Sequence, residues 1–157
     1  MARLLVVHHT TSPTLQALLE AALAGARDPA ITGVDVVVRP ALSAGPVDVL
    51  GADGYLLGTP ANIGYMSGAL KHFFDQVYYP CLEATRGRPY AAYVHGASDV
   101  TGAIRAIGAI TTGLGWRPVG EPLSITGTPR PEQLAACRDL AATVAATCML
   151  AGGPDPE

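Results

Sequence analysis

The chain has 157 residues, 49% of them hydrophobic and 15% charged, with a formal net charge of −3. That length suits one domain with a real core. The ten scattered basic residues exclude a nucleic-acid footprint, and −3 is too small a charge to steer the chain onto basic partners.

"RLLVV" (3–7) is a continuous apolar run of the kind found in a strand buried on both faces. After "HHTTSPT" a helix is predicted from about Thr14, because Leu15, Leu18, Leu19, Ala22, Leu23 and Ala26 form one face at helical spacing. "VDVVV" (34–38) reads as the second strand, followed by a Gly/Pro-containing connection. "GYLLGT" (54–59) reads as the third. The helix after it carries Met66, Ala69, Leu70, Phe73, Phe74 and Val77 on one face. "YAAYVH" (90–95) is a fourth strand, and "VTGAIRAIGAITTGLG" a helix stopped by Gly113 and Gly115. A fifth strand falls within "VGEPLSI" (119–125), with Pro122 marking an edge. Pro131 opens the last helix, where the missing N–H costs nothing. Strand–helix alternation of this kind predicts an α/β domain of three layers: a five-stranded parallel sheet, order 2-1-3-4-5, between helices.

Three cysteines (Cys81, Cys137, Cys148) lack CxxC or metal-ligand spacing, so reduced thiols, a cytoplasmic protein and no metal site are expected. Leu4–Val7 is too short for a signal-peptide core, and no run approaches the roughly 18 uninterrupted apolar residues of a membrane span. A charge content below the roughly 25% of ordinary globular proteins predicts that part of the surface is covered by further copies, as a dimer or tetramer.

In sheets of this order ligands sit beyond the carboxyl ends of the strands, where strands 1 and 3 diverge. Three loops end there. "HHTTSPT" places Thr10, Thr11, Ser12 and Thr14 at a helix N-terminus, four hydroxyls where a cap needs one; that excess points to a phosphate. Neither GxxxxGK[ST] nor GxGxxG is present. In "GTPANIGY", Gly58 and Gly64 permit close approach of a flat ligand to the main chain, Pro60 stiffens the turn, and N–H groups from Ala61 to Gly64 could face ring heteroatoms. In "HGASDVTG", His95 could stack on a ring or move a proton at neutral pH; a strand-end histidine bonded to backbone is an equal alternative.

"GTPANIGYMSGALKHFFDQ" resembles the signature of the flavodoxin-like NAD(P)H:quinone and NADPH-dependent FMN reductases, the WrbA-type flavoproteins. "HHTTSPT" is similar to that group's phosphate loop, with Thr10 and Ser12 at its first two hydroxyl positions. The resemblance implies one flavodoxin-like domain over 1–150, a disordered tail over 151–157, and bound FMN. The phosphate would lie at residues 10–14, and the ring against Pro60, Ala61, Asn62, Ile63, Gly64 and Tyr65 and against His95 and Gly96. It also implies NADH or NADPH as transient donor and a quinone or similar small molecule as acceptor. Three positions depart from the pattern: Pro13 replaces a glycine, Ile63 an aromatic residue and Tyr65 an asparagine. A one-electron flavodoxin carrier and a non-catalytic binding module are the alternatives.

Overall fold

The structure, a computed structural model, describes residues 1–151; most of the expected tail lies outside the described residues, although Ala151 still ends a helix. In chain order the elements are β1 (Ala2–His8), α1 (Pro13–Ala26), β2 (Val34–Pro40), α2 (Pro46–Leu50), β3 (Gly54–Asn62), β4 (Tyr65–Met66) and α3 (Gly68–Cys81). They continue with β5 (Pro89–Gly96), α4 (Thr101–Leu114), β6 (Arg117–Pro118), β7 (Leu123–Thr126) and α5 (Pro131–Ala151). The sheet runs β2-β1-β3-β5, and its far edge is shared by β6 and β7, all pairs parallel. This is the expected order, with the fifth position split into two short strands. The split falls at residues 119–122, where Gly120 adopts φ 72° and Pro122 has no N–H to give the ladder.

Central strands explain the continuous apolar runs, because alternate side chains enter cores on opposite faces. Leu5, Val7, Tyr55, Leu57, Ala92 and Val94 meet Phe73, Phe74, Val77 and Ile107 under α3 and α4. Trp116 joins this side, stacked 4.0 Å from the Tyr55 ring. Leu4, Val6, Leu56, Ala91 and Tyr93 meet Leu15, Leu18, Ala22, Ala141, Val144 and Ala145 under α1 and α5. Each fully buried leucine contributes about 1.5–3 kcal/mol through removal from water, so the faces of α1 and α3 bind them to the sheet despite modest intrinsic helicity. Gly25 lets α1 approach α5 closely: a Cβ there would strike the carbonyl of Arg138. By length and composition α5 could cross a membrane; here its Cys137, Ala141, Val144, Ala145 and Cys148 face packs on the sheet side like a core helix.

Two features differ from expectation. The Gly/Pro connection after β2 contains α2, started by Pro46 and by the Asp48 carboxylate, which accepts from the Gly45 N–H at 3.0 Å. The third strand runs on past Thr59 and folds back as a hairpin with β4, so Met66 lies in a strand and α3 begins only at Gly68. Ser67 caps α3, accepting from the Leu70 N–H at 3.2 Å, and is itself fixed by donating its own N–H to Thr59 Oγ1.

Candidate functional site

The carboxyl ends of β1, β3 and β5 lie side by side, His8 opposite Gly58 and Pro60 opposite His95. Beyond β1, the His9 N–H donates to the Gly58 carbonyl at 2.9 Å and holds the first loop against the third strand. Ser12 is the N-cap of α1, its Oγ accepting from the Leu15 N–H at 3.2 Å with Pro13 opening the helix. Thr10 Oγ1 and His8 Nδ1 share a 2.8 Å hydrogen bond. Two of the four hydroxyls are therefore engaged within the fold. Thr11, exposed, and Thr14, in the first turn, take no part in those bonds and remain for an anion. His8 is held below its ordinary pKa by burial and, secondarily, by the neighbouring His9.

The hairpin is the unusual part of the site. Ile63 and Gly64 both have positive φ, 49° and 71°, and form a two-residue turn of the primed type that matches strand twist. A β-branched residue in the left-handed region is an outlier, and the Ile63 side chain is fully solvent-exposed (105%), so no burial offsets the strain. Asn62 and Tyr65 pair across the turn, which engages their backbone with each other. The expectation of free N–H groups from Ala61 to Gly64 thus loses Asn62, which the hairpin engages, and keeps the tip, Ile63 and Gly64. The tip rests on α4: a Cβ at Gly102 would strike the Gly64 carbonyl. Between them runs an open groove of about 470 Å³, lined by Gly64, Tyr65, Gly102, Arg105, Ala106 and Ile110, among others.

The third loop closes on the hairpin, since a Cβ at Gly96 would lie 3.2 Å from that of Ala61. His95 Nε2 donates to the Gly127 carbonyl at 2.8 Å, and the Gly127 N–H donates to the Gly96 carbonyl at 3.0 Å. The backbone-bonded alternative for this histidine is therefore the observed one, leaving Nδ1 free to exchange a proton. The loop after β7 thereby joins the site, which sequence reasoning missed; Gly127, at φ 67° after a short strand, was the available signal. Among the described residues no three His, Cys, Asp or Glu side chains cluster as metal ligands.

Whether these residues suit a polar ligand is tested by two buried atoms without partners among the described residues, His9 Nδ1 and the Tyr93 hydroxyl. Both belong to residues that touch Gly58: His9 bonds its carbonyl, and the Tyr93 ring occupies the space a Cβ there would fill. Orphaned buried polar groups are rare and costly. A pair of them beside Gly58, at the divergence of β1 and β3, fits a site that donates hydrogen bonds to a phosphate-bearing ligand.

Structural comparison bears on the fold. A flavodoxin from the domain Archaea superposes with a TM-score of 0.80 at 20% identity, covering 93% of this chain and 98% of that one. The fold is flavodoxin-like. An NADH:FMN oxidoreductase in its apo form superposes with a TM-score of 0.75 at 16% identity, covering 94% and 90%. In sequence, the chain is 35% identical over 77 residues to a flavodoxin of Aquifex aeolicus, a match spanning 49% of this chain and 40% of the relative. No family model matches the chain.

Proposed function

We propose that the protein is an FMN-binding oxidoreductase of a reducing, cytoplasmic compartment that takes reducing equivalents from NADH or NADPH and delivers them to a quinone or similar small acceptor. The observation that carries the reading is the pair of orphaned polar groups at the β1/β3 divergence, beside unengaged hydroxyls and a flavodoxin-like arrangement of loops. Bound flavin supplies the hydride and electron chemistry. Thr11, Thr14 and His9 hold the phosphate; the Ile63 and Gly64 N–H groups face the ring; Ile63 and Tyr65 exclude water from its edge. His95, fixed through Nε2, exchanges a proton with the acceptor at Nδ1.

The partial match to the Aquifex flavodoxin favours a second reading, a one-electron carrier. Such a carrier docks a cationic partner by an acidic rim. The segments that form this rim, residues 8–14, 58–66, 95–105 and 126–130, contain one carboxylate, Asp99, against Arg105, Arg130 and three histidines. That balance suits an anionic nucleotide donor better. Titrating FMN into flavin-free protein by calorimetry should give saturating heat, and Thr11→Ala or Thr14→Ala should weaken binding about tenfold for each lost bond to a charged group. No heat refutes the reading; unchanged affinity in both variants refutes the phosphate placement. Anaerobic NADH or NADPH should then bleach the bound flavin, and failure of both leaves the carrier.

A further inference from the structure

Among the described residues, the strand β2 has β1 on one side and no strand on the other. Its sequence, VDVVVRP, is dense in β-formers, the type of edge that pairs with another chain unless blunted. Which residues face outward follows from two bonds. The Gly33 carbonyl accepts from the Ala2 N–H of β1, so Gly33 and every second residue after it, Asp35, Val37 and Arg39, turn their backbone inward. Val34, Val36 and Val38 turn theirs outward. The Val38 carbonyl is accordingly met by a side chain, Arg39 Nη1 at 3.1 Å. Past Pro40 the edge closes, because its carbonyl accepts from the Ala44 N–H.

We propose that this edge is an interface with a second copy of the chain, the two β2 strands pairing antiparallel about a two-fold axis at Val37. In that register Val36 and Val38 of each copy exchange N–H and C=O groups with Val38 and Val36 of the other, which is the pairing the outward groups permit. Asp35 then stands opposite Arg39 of the second copy, at a non-hydrogen-bonded position where side chains approach closest. Both pairs form, since a two-fold interface is reciprocal. Registers that place the two-fold at Val36 or Val38 leave Asp35 or Arg39 facing valine or nothing. The charges that complement each other across the axis have only weak partners within the chain: Asp35 lies 3.4 Å from Arg3 and Arg39 lies 3.7 Å from Asp48, all with substantially exposed side chains except the more sheltered Asp48. Apolar surface accompanies the edge. Val47, 85% exposed, lines one groove with Val37 and Arg39, and Leu42, 66% exposed, follows β2 directly.

The test uses charge reversal and light scattering on the full chain. Wild type should have twice the mass of one chain. Asp35→Lys sets a lysine against Arg39 of the other copy, and Arg39→Asp sets two aspartates opposite each other. Each variant alone should raise the dimer dissociation constant about tenfold to a hundredfold and run as a monomer at concentrations where wild type is dimeric. Mixed one to one, the two variants should form a heterodimer.

 The introduced lysine faces the introduced aspartate, and the remaining Arg39 faces the remaining Asp35, so both pairs are opposite in charge. Unchanged thermal melting of the variants at low concentration shows that the fold is intact. A monomeric wild type, which would leave the edge to an extended segment of another protein, overturns the proposal. So does a dimer that survives either reversal, or a mixture that stays monomeric.

Discussion

The substitution Ile63→Asn should stabilise the flavin-free protein and weaken its hold on FMN. The left-handed region costs an L-residue with a Cβ roughly 1–2 kcal/mol, and asparagine, which bonds locally to its own backbone, tolerates it best after glycine. Ile63 sits there at φ 49° with its side chain wholly in solvent, so the substitution forfeits no burial. An asparagine followed by Gly64 is also the preferred pair for this turn. A gain of about 1 kcal/mol is expected, which in a domain of this size raises the melting temperature by roughly 2–4 °C. If the strained isoleucine serves the ligand, FMN affinity falls at the same time. Burying one such side chain against a ring contributes about 1.5–3 kcal/mol, a loss of roughly ten- to hundredfold in affinity. Thermal melting without FMN and calorimetry with it read the two effects separately. A lower or unchanged melting temperature refutes the strain argument; a stabilised variant with undiminished affinity shows that Ile63 does not touch the ligand.

Three further outcomes are expected. Arg88 Nη1 lies 3.1 Å from the Val49 and Leu50 carbonyls, 2.7 Å from that of Ala52 and 3.2 Å from the Tyr55 hydroxyl, so it satisfies the end of α2. Arg88→Met should cost about 2–3 kcal/mol and lower the melting temperature by roughly 5–10 °C; a loss below about 2 °C would mean that water replaces the guanidinium. His8 is neutral in the fold to lower pH than in the unfolded chain, where its value is near 6.5. Its contribution to stability is therefore present above pH 6.5 and lost as pH falls through the depressed native value. Wild type should lose stability between about pH 7 and 5 faster than His8→Asn in phosphate-free buffer, and parallel curves would contradict the shift. Burial raises the Cys81 thiol and pushes Cys137 up to about 12 and Cys148 up to about 11. All three are buried free thiols, so iodoacetamide should label none at neutral pH until denaturant is added.

The parts of this molecule legible in its sequence are those where one local rule acts alone. The spacing of Leu15, Leu18, Leu19 and Ala22 and of Leu70, Phe73, Phe74 and Val77 marks helices because each face meets a flat sheet, and both helices are where that spacing puts them. Gly115, at φ 73° after α4, follows the same logic. The hairpin was not legible, because Ile63 contradicts the local preference for a primed turn, and the contacts that accompany that turn, the β3–β4 pairing and the Gly64 carbonyl against Gly102, are tertiary. Met66 then fell in a strand although its spacing fits the helix face, since its burial at 2% is reached from β4 as well as from a helix. The hydroxyl-rich loop shows the limit more sharply. Counting four hydroxyls implied an anion site, yet Ser12 is taken by the cap and Thr10 by His8. The stronger indication comes from groups no spacing singled out, Tyr93 and His9, which meet through Gly58 only after three strands align. Local propensity and tertiary packing agree over most of this chain; the places where they disagree, Ile63, His9 and Tyr93, all lie around the carboxyl ends of β3 and β5. That coincidence is what a ligand site would produce, because a bound ligand, like an ordered water, meets unpaired groups and offsets strain that the fold alone leaves in place.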